Sequence, residues 1–165
     1  MLAFLICILH WFQETYFLGR ARKNSFRLRG ADIGMSTIMQ NGVKLFGCKN
    51  IRIGDDCFFG RETKIFAYKS KITIGSKVIV AENVKFISHE HKFADSNVPI
   101  SEQGYTSSPI IVGNDVWIGF NCIILPGVKI GDGVVIGAGS IVNSDIPDNY
   151  IAAGSPARLI KHREQ

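Results

Sequence analysis

Long hydrophobic runs are missing from this chain. The apolar segment Met1 to Leu9 covers only nine residues, well short of the ~20 that a membrane-spanning helix needs. It has no basic residue ahead of it and no small-residue cleavage site behind it, so the sequence predicts no secretory signal. Cysteine is scarce: Cys7, Cys48, Cys57 and Cys122 show neither paired spacing nor a metal-ligand pattern. That excludes a disulfide framework and a cysteine-built zinc site, and the expectation is reduced thiols in a cytoplasmic protein. Charge is thin as well, at 20% of residues against 46% apolar. This is the composition of a soluble globular domain that can bury one sizeable core.

Acidic residues are nearly absent from the first thirty positions, where Glu14 stands alone against Arg20, Arg22, Lys23, Arg27 and Arg29. That segment therefore carries +4 of the chain's formal +5. With the apolar run, His10-Trp11-Phe12 and Tyr16-Phe17-Leu18, residues 1–30 read as a helical appendage. It packs on the end of the fold or on a partner subunit, or it lies in the interface of an anionic membrane at the inner face. The remainder is nearly balanced in charge and lacks a nucleic-acid-binding motif, so nucleic acid is not an expected partner.

What is present is a beat of six. Val112, Ile118, Ile124, Ile130, Ile136 and Val142 are each six residues apart. A helix would repeat at three and four and a half-buried strand at two, so a strict six implies a solenoid of short flat faces with one core anchor per face. Glycine follows the anchor at Gly113, Gly119, Gly131 and Gly137, and small or slim residues stand four after it at Val116, Cys122, Val128, Val134 and Ser140. Upstream the beat continues as Ile33, Met39, Leu45, then Ile53, Phe59, Ile65, then Ile74, Val80, Phe86, with slips between blocks that suggest turns or bulges. The phrase aliphatic-x-aliphatic-Gly recurs at Ile51, Ile72, Ile110 and Val128; the last two starts are 18 residues apart, or three hexads, so one coil is a triangle. Between Ile72 and Ile110 lie 38 residues, so about twenty leave the coil and return. Excursions that long are usually functional. The expected plan is an all-β parallel solenoid of five to six coils over residues 31–147, a loop at 92–108, and a tail at 148–165 with a short helix.

The stretch Val112-Gly113-Asn114-Asp115-Val116-Trp117-Ile118-Gly119, then Leu125-Pro126-Gly127-Val128 and Ile136-Gly137-Ala138-Gly139-Ser140, ending in Ala153-Gly154-Ser155-Pro156-Ala157-Arg158, resembles the hexapeptide-repeat acyltransferases. Within them it is most similar to sugar O-acetyltransferases of the galactoside and maltose type and their relatives in surface-polysaccharide synthesis, over roughly residues 50–162. The resemblance implies a left-handed parallel β-helix, although crossover statistics alone would favour the opposite hand. It also implies a homotrimer with sites between subunits, acetyl-CoA as acyl donor and no metal.

A sugar hydroxyl is a poor nucleophile at neutral pH, so a base must take its proton during attack, a task that suits histidine. His89 and His91 stand where the chain leaves the coil. Asn83-Val84 matches the family's Asn-Val pair, whose catalytic histidine lies eight residues after the asparagine, which selects His91 as general base. His89 and Asn83 are then acceptor contacts or supports for His91, with Glu82, Glu90, Asp95 or a backbone carbonyl open as the group that orients His91. Transfer is expected to be direct: Ser88, Ser140 and the cysteines sit in no recognisable nucleophile motif. Backbone N–H groups or the Trp117 indole are the candidate oxyanion donors.

For the donor, the family positions fall on Trp117, Gly119, Ala138 and Gly139 along the pantetheine arm, and on Arg158 and Lys161 near the CoA phosphates. Phe120 replaces the serine that galactoside-type enzymes carry after Trp-Ile-Gly. By ungapped offset from His91, acceptor-binding Asn and Asp positions fall on Arg61 and Lys69, so the expected acceptor is an anionic sugar, a nucleotide sugar or a phosphate-bearing glycan. The competing readings are a xenobiotic acetyltransferase of the chloramphenicol type and a non-catalytic scaffold subunit. A β-helix carbonic anhydrase needs three zinc-binding histidines, and His10 and His162 lie outside the coils.

Overall fold

Each hexad anchor needs a dry place for its side chain, and the chain supplies it by winding into a three-sided prism. The computed structural model describes residues 18–163; the apolar run at Met1 to Leu9 lies outside them. Helix α1 (Leu18–Leu28) precedes five coils. These are β1 (Asp32–Ile33), β2 (Ile38–Met39) and β3 (Lys44–Phe46); β4 (Ile51–Ile53), β5 (Phe58–Phe59) and β6 (Lys64–Phe66); and β7 (Ile72–Ile74), β8 (Ile79–Val80) and β9 (Lys85–Ile87). After an excursion formed by β10 (His89–His91) and β11 (Tyr105–Ser107) come β12 (Ile110–Val112), β13 (Trp117–Ile118) and β14 (Ile123–Ile124), then β15 (Lys129–Ile130), β16 (Val135–Ile136) and β17 (Ile141–Val142). The chain closes with β18 (Tyr150–Gly154) and β19 (Ala157–His162).

The strands stack coil on coil. Face one is β1-β4-β7-β12-β15, face two β2-β5-β8-β13-β16-β18-β19, and face three β3-β6-β9-β14-β17. Successive coils pair in parallel and in register, as in Ile74 with Val112 and Val112 with Ile130 on face one. Every anchor from Ile33 to Val142 is buried, and so are the slim residues at Val116, Cys122, Val128, Val134 and Ser140. Corners turn at the third residue after the anchor, which takes positive φ at Asp56, Lys77, Asn83, Asp115 and Asn121. The glycine after the anchor answers a different need: a Cβ on Gly119 would stand 2.6 Å from the backbone nitrogen of Ala138 in the next coil. Burial raises the thiol pKa of Cys57 and Cys122, which serve as slim core fillers.

The slips in the beat are corner insertions between faces three and one. Gly47, with φ 75°, opens a single 3-10 turn at Cys48–Asn50 between β3 and β4, and the segment 67–71 bridges β6 to β7. Two expectations are corrected. The excursion is not a bare loop over residues 92–108: its returning arm is β11, antiparallel to β10 with His89 opposite Ser107 and His91 opposite Tyr105, because two arms leaving a solenoid satisfy their backbone groups on each other. Among the described residues the tail has no helix either. Ile151 and Ala152 extend face two onto Val135 and Ile136, and the chain reverses after Gly154 so that β19 covers β18. Continuing an existing sheet satisfies more backbone groups than an isolated turn of helix, and Pro156 is a poor helix residue.

At the opposite end, α1 lies on the first coil with Gly19, Lys23 and Phe26 turned inward. Arg22 Nη1 donates to the Met39 carbonyl at 2.8 Å and Lys23 Nζ donates to the Met35 carbonyl, so side chains stand in where no coil lies beneath. Burial lowers the Lys23 pKa from the ordinary lysine value; Arg20 and Arg27 push the same way and Asp55 opposes them. Removing one stacked anchor opens a cavity between two coils. Phe59→Ala, at a fully buried site, is expected to lower unfolding free energy by about 3–5 kcal/mol, read as a lower denaturant midpoint by circular dichroism.

Candidate functional site

The excursion starts at the corner after face three, and it carries the two histidines out of the solenoid. His91 is exposed, with its ring 4.2 Å from the ring of Tyr105, its partner across the hairpin. Among the described residues nothing hydrogen-bonds either ring nitrogen of His91. Asp95 shapes the loop instead: its N–H donates to Gln103 Oε1, its carbonyl accepts from Gln103 Nε2 at 2.8 Å, and its carboxylate accepts from the N–H of Asn97. A cavity of about 500 Å³ lies under that loop, lined by His91, Phe93, Asp95, Gln103 and Thr106 among others.

His89 points to a second cavity, of about 300 Å³, which it shares with Tyr68, Lys69 and Tyr105. The His89 ring meets Tyr68 edge-on at 5.3 Å, and its Nδ1 is buried without a hydrogen-bond partner. Lys69 Nζ stands 5.8 Å from the centre of the Tyr105 ring, a cation–π distance. This pocket combines aromatic walls, one free ammonium and an imidazole, which suits a flat, polar, negatively charged ring.

The sequence-predicted acceptor residues divide. Lys69 joins the histidines. Arg61 and Asn83 do not: they stand at the corner between faces two and three, where the Asn83 N–H donates to the Arg61 carbonyl and Asn83 Nδ2 donates to Asn121 Oδ1 at 2.8 Å. Lys85 Nζ also donates to Asn83 Oδ1, so that side chain is occupied in holding the corner. Tyr68 and Tyr105 were not singled out from the sequence, and no local pattern around either residue marks it. Ser88 and Ser140 are fully buried, with Ser88 Oγ donating to the Phe66 carbonyl at 3.0 Å and Ser140 Oγ to that of Gly137. Neither hydroxyl is accessible.

The donor residues form a set of their own along face two. Trp117 is 54% exposed and lies in a ladder with Val135, Ile151 and Lys161. Beside it run buried Gly119 and exposed Ala138 and Gly139, and above them Ala153 pairs with Arg158. A Cβ on Gly139 would meet nothing within 4 Å, so an extended ligand can approach that backbone closely. Within one chain this strip and the histidine hairpin occupy different edges of the prism.

Known proteins share this arrangement of coils. The pattern described as bacterial transferase hexapeptide (six repeats) matches residues 109–144, and that of the hexapeptide repeat of succinyl-transferase matches residues 50–84. A putative colanic acid biosynthesis acetyltransferase of Escherichia coli is 30% identical over 146 residues, covering 88% of this chain and 77% of its own. The crystal structure of a maltose O-acetyltransferase from Clostridium difficile, 36% identical, matches with TM-score 0.75 over 87% of this chain and 75% of its own. A hexapeptide-repeat acetyltransferase from Vibrio cholerae, complexed with acetyl-CoA, is 28% identical with TM-score 0.80, covering 93% and 82%. Two further curated relatives are longer, and the chain spans 38% and 63% of their lengths. Repeats, coil stacking and relatives agree: the chain belongs to the hexapeptide-repeat acyltransferases, and its solenoid is their left-handed parallel β-helix.

Proposed function

We propose that this chain is an acetyl-CoA-dependent O-acetyltransferase that acetylates a sugar hydroxyl in the synthesis of surface or capsular polysaccharide or lipopolysaccharide. The observation that carries the reading is an exposed imidazole, His91, at the mouth of the hairpin and next to the aromatic pocket of Tyr68, His89 and Tyr105. Relatives named for maltose, colanic acid and acetyl-CoA support the sugar, the pathway and the donor.

The reaction needs no covalent enzyme intermediate. His91 takes the proton of the acceptor hydroxyl as its oxygen attacks the thioester carbon. A backbone N–H or the Trp117 indole N–H donates a hydrogen bond to the carbonyl oxygen as it gains negative charge in the tetrahedral intermediate. Collapse of that intermediate breaks the C–S bond, and the coenzyme thiolate leaves with the proton from the imidazolium. Burial of Ser88, Ser140, Cys48, Cys57 and Cys122 supports direct transfer over an acyl-enzyme. His91→Ala is expected to lower acetyl transfer by about 10²–10⁴-fold in a coupled thiol-release assay; a variant with most of its turnover intact removes His91 from this role.

The site is completed between copies of the chain. A rigid prism keeps the His91 hairpin and the strip of Trp117, Ala138, Gly139 and Arg158 on separate edges, so the base of one subunit serves the donor strip of its neighbour in a homotrimer. Cyclic assembly of identical chains makes every such interface equivalent. Inactive His91→Ala and Arg158→Ala subunits, unfolded and refolded together in equal amounts, are then expected to regain about a quarter of wild-type sites by random mixing. A mixture no more active than its parents overturns the shared site.

Peripheral membrane contact through residues 1–29 is favoured by one feature of α1: Arg20, Arg27 and Arg29 are exposed beside Leu28, which is 90% exposed. Among the described residues no helix is long and apolar enough to cross a membrane. Liposomes containing anionic lipid are expected to pellet the full chain and not a chain lacking residues 1–29; equal pelleting leaves α1 only its role on the first coil.

A further inference from the structure

The outer surface of face three holds two columns that the reaction above does not use. Lys44, Lys64 and Lys85 are register partners on consecutive strands, as are Phe46, Phe66 and Ile87. The residues between them, Leu45, Ile65 and Phe86, are buried, so both columns point outward. Adjacent strands lie about 4.8 Å apart, and like charges directly opposite one another in a sheet are destabilising. The ion pairs among the described residues are Arg52–Asp32 and Arg163–Asp115, and neither involves this column. Lys85 Nζ is engaged by the neutral Asn83 side chain and carbonyl, and among the described residues no carboxylate pairs with any of the three. Three cations in register without a counter-charge are an unfavourable arrangement for the isolated fold.

The apolar column is equally unusual for a solvated face. Phe46 and Phe66 stack with centroids 4.7 Å apart and planes 1° from parallel. Tyr68 stands 6.1 Å from Phe46, His89 5.3 Å from Tyr68, and Tyr105 is 6.2 Å from His89 and 4.2 Å from His91. The rings make an unbroken path from the first coil to the proposed base. Lysines border it at the start, and Lys69 stands over Tyr105 at its end.

We propose that face three is a track for an acidic oligosaccharide, with sugar rings lying on the aromatic path and carboxylate or phosphate groups meeting the lysine column. Sugar rings present apolar C–H groups that pack on the outward surface the aromatic rings leave uncovered, and ammonium groups supply point charges for anionic substituents. Three lysines in register span about 10 Å, longer than one pyranose, so the track selects a chain over a monosaccharide. This rests on the acceptor reading above and deepens it: the hydroxyl offered to His91 belongs to a polymer segment bearing negative charge.

Binding, measured by titration calorimetry on the full chain with no acyl donor, tests the track apart from catalysis. The probes are trigalacturonate, galacturonate and neutral maltotriose. Trigalacturonate is expected to bind at least tenfold more tightly than either of the others, and Lys44→Gln/Lys64→Gln to cut that advantage to below threefold. Phe46→Ser/Phe66→Ser is expected to weaken trigalacturonate while leaving its salt dependence. Equal affinity for the three probes overturns the track, as does an undiminished advantage in the lysine variant. Loss of binding together with a changed sedimentation coefficient also overturns it, since face three is then a subunit interface. Trigalacturonate bound with the lysine dependence by a chain that never releases coenzyme thiol would instead retain the track and refute the acetyltransferase reading.

Discussion

Stacking in register is the constraint from which everything else in this molecule follows. Each coil satisfies its backbone by donating to the coil next to it, as Gly113 N–H does to the Ile130 carbonyl and Gly119 N–H to that of Ile136. Side chains reinforce the column at the corner between faces one and two. Asn114 Oδ1 accepts from the Ser76 N–H, Asp132 Oδ1 from the Asn114 N–H, and Asp148 Oδ1 from the Asp132 N–H. Neighbouring coils must come very close for these bonds to form, which is why Gly113 and Gly119 carry no side chain: an added Cβ would fall within 2.8 Å of backbone or side-chain atoms above. A slip of one residue would turn the anchors outward and break the polar column together.

A stack has two open ends, and the chain closes each differently. At the first coil, the Arg22 and Lys23 side chains replace missing backbone donors and Phe26 covers the end of the core. At the last, β19 reverses direction over β18 and presents Arg158 and Lys161 on an exposed edge. Charged edges discourage further strand addition. In the proposed enzyme the same two cations hold the phosphates of the coenzyme, so one feature limits aggregation and supplies a binding site.

The core of this fold is legible in the sequence because its period is local: anchor, glycine and slim residue recur within six positions, and all the named anchors are buried. What depends on partners far along the chain was not legible. Tyr105 meets His91 only because an excursion of thirteen residues returns to pair with its own start, and no spacing rule announces that register. Arg61 was placed with the histidines by counting back a fixed offset. Register partners in the early coils are 20 and 21 residues apart, Ile33 to Ile53 and Ile53 to Ile74, against 18 for Val112 to Ile130. The added residues sit at corners, so Arg61 and Lys69 fall at opposite ends of β6. The tail's mix of Ala, Arg, Leu and Lys has helical propensity, but an unfinished face two offered it a sheet edge.

Rigidity explains why the proposed site belongs to an assembly. Flat faces locked by backbone bonds cannot fold toward each other, so residues on different edges of one prism stay apart whatever ligand is bound. Only a projecting element can reach another edge, and among the described residues the β10–β11 hairpin is the one that leaves the coils in mid-stack. Its base is held by Tyr105 and its loop by Gln103, which donates to the carbonyls of both Asp95 and Val98. A stiff arm carrying a base suits docking against a second copy, because its position is set before assembly and little ordering remains to oppose binding. In the proposed enzyme the solenoid thereby separates the tasks: its faces hold ligands in extended form, and the β10–β11 hairpin brings the chemistry to them.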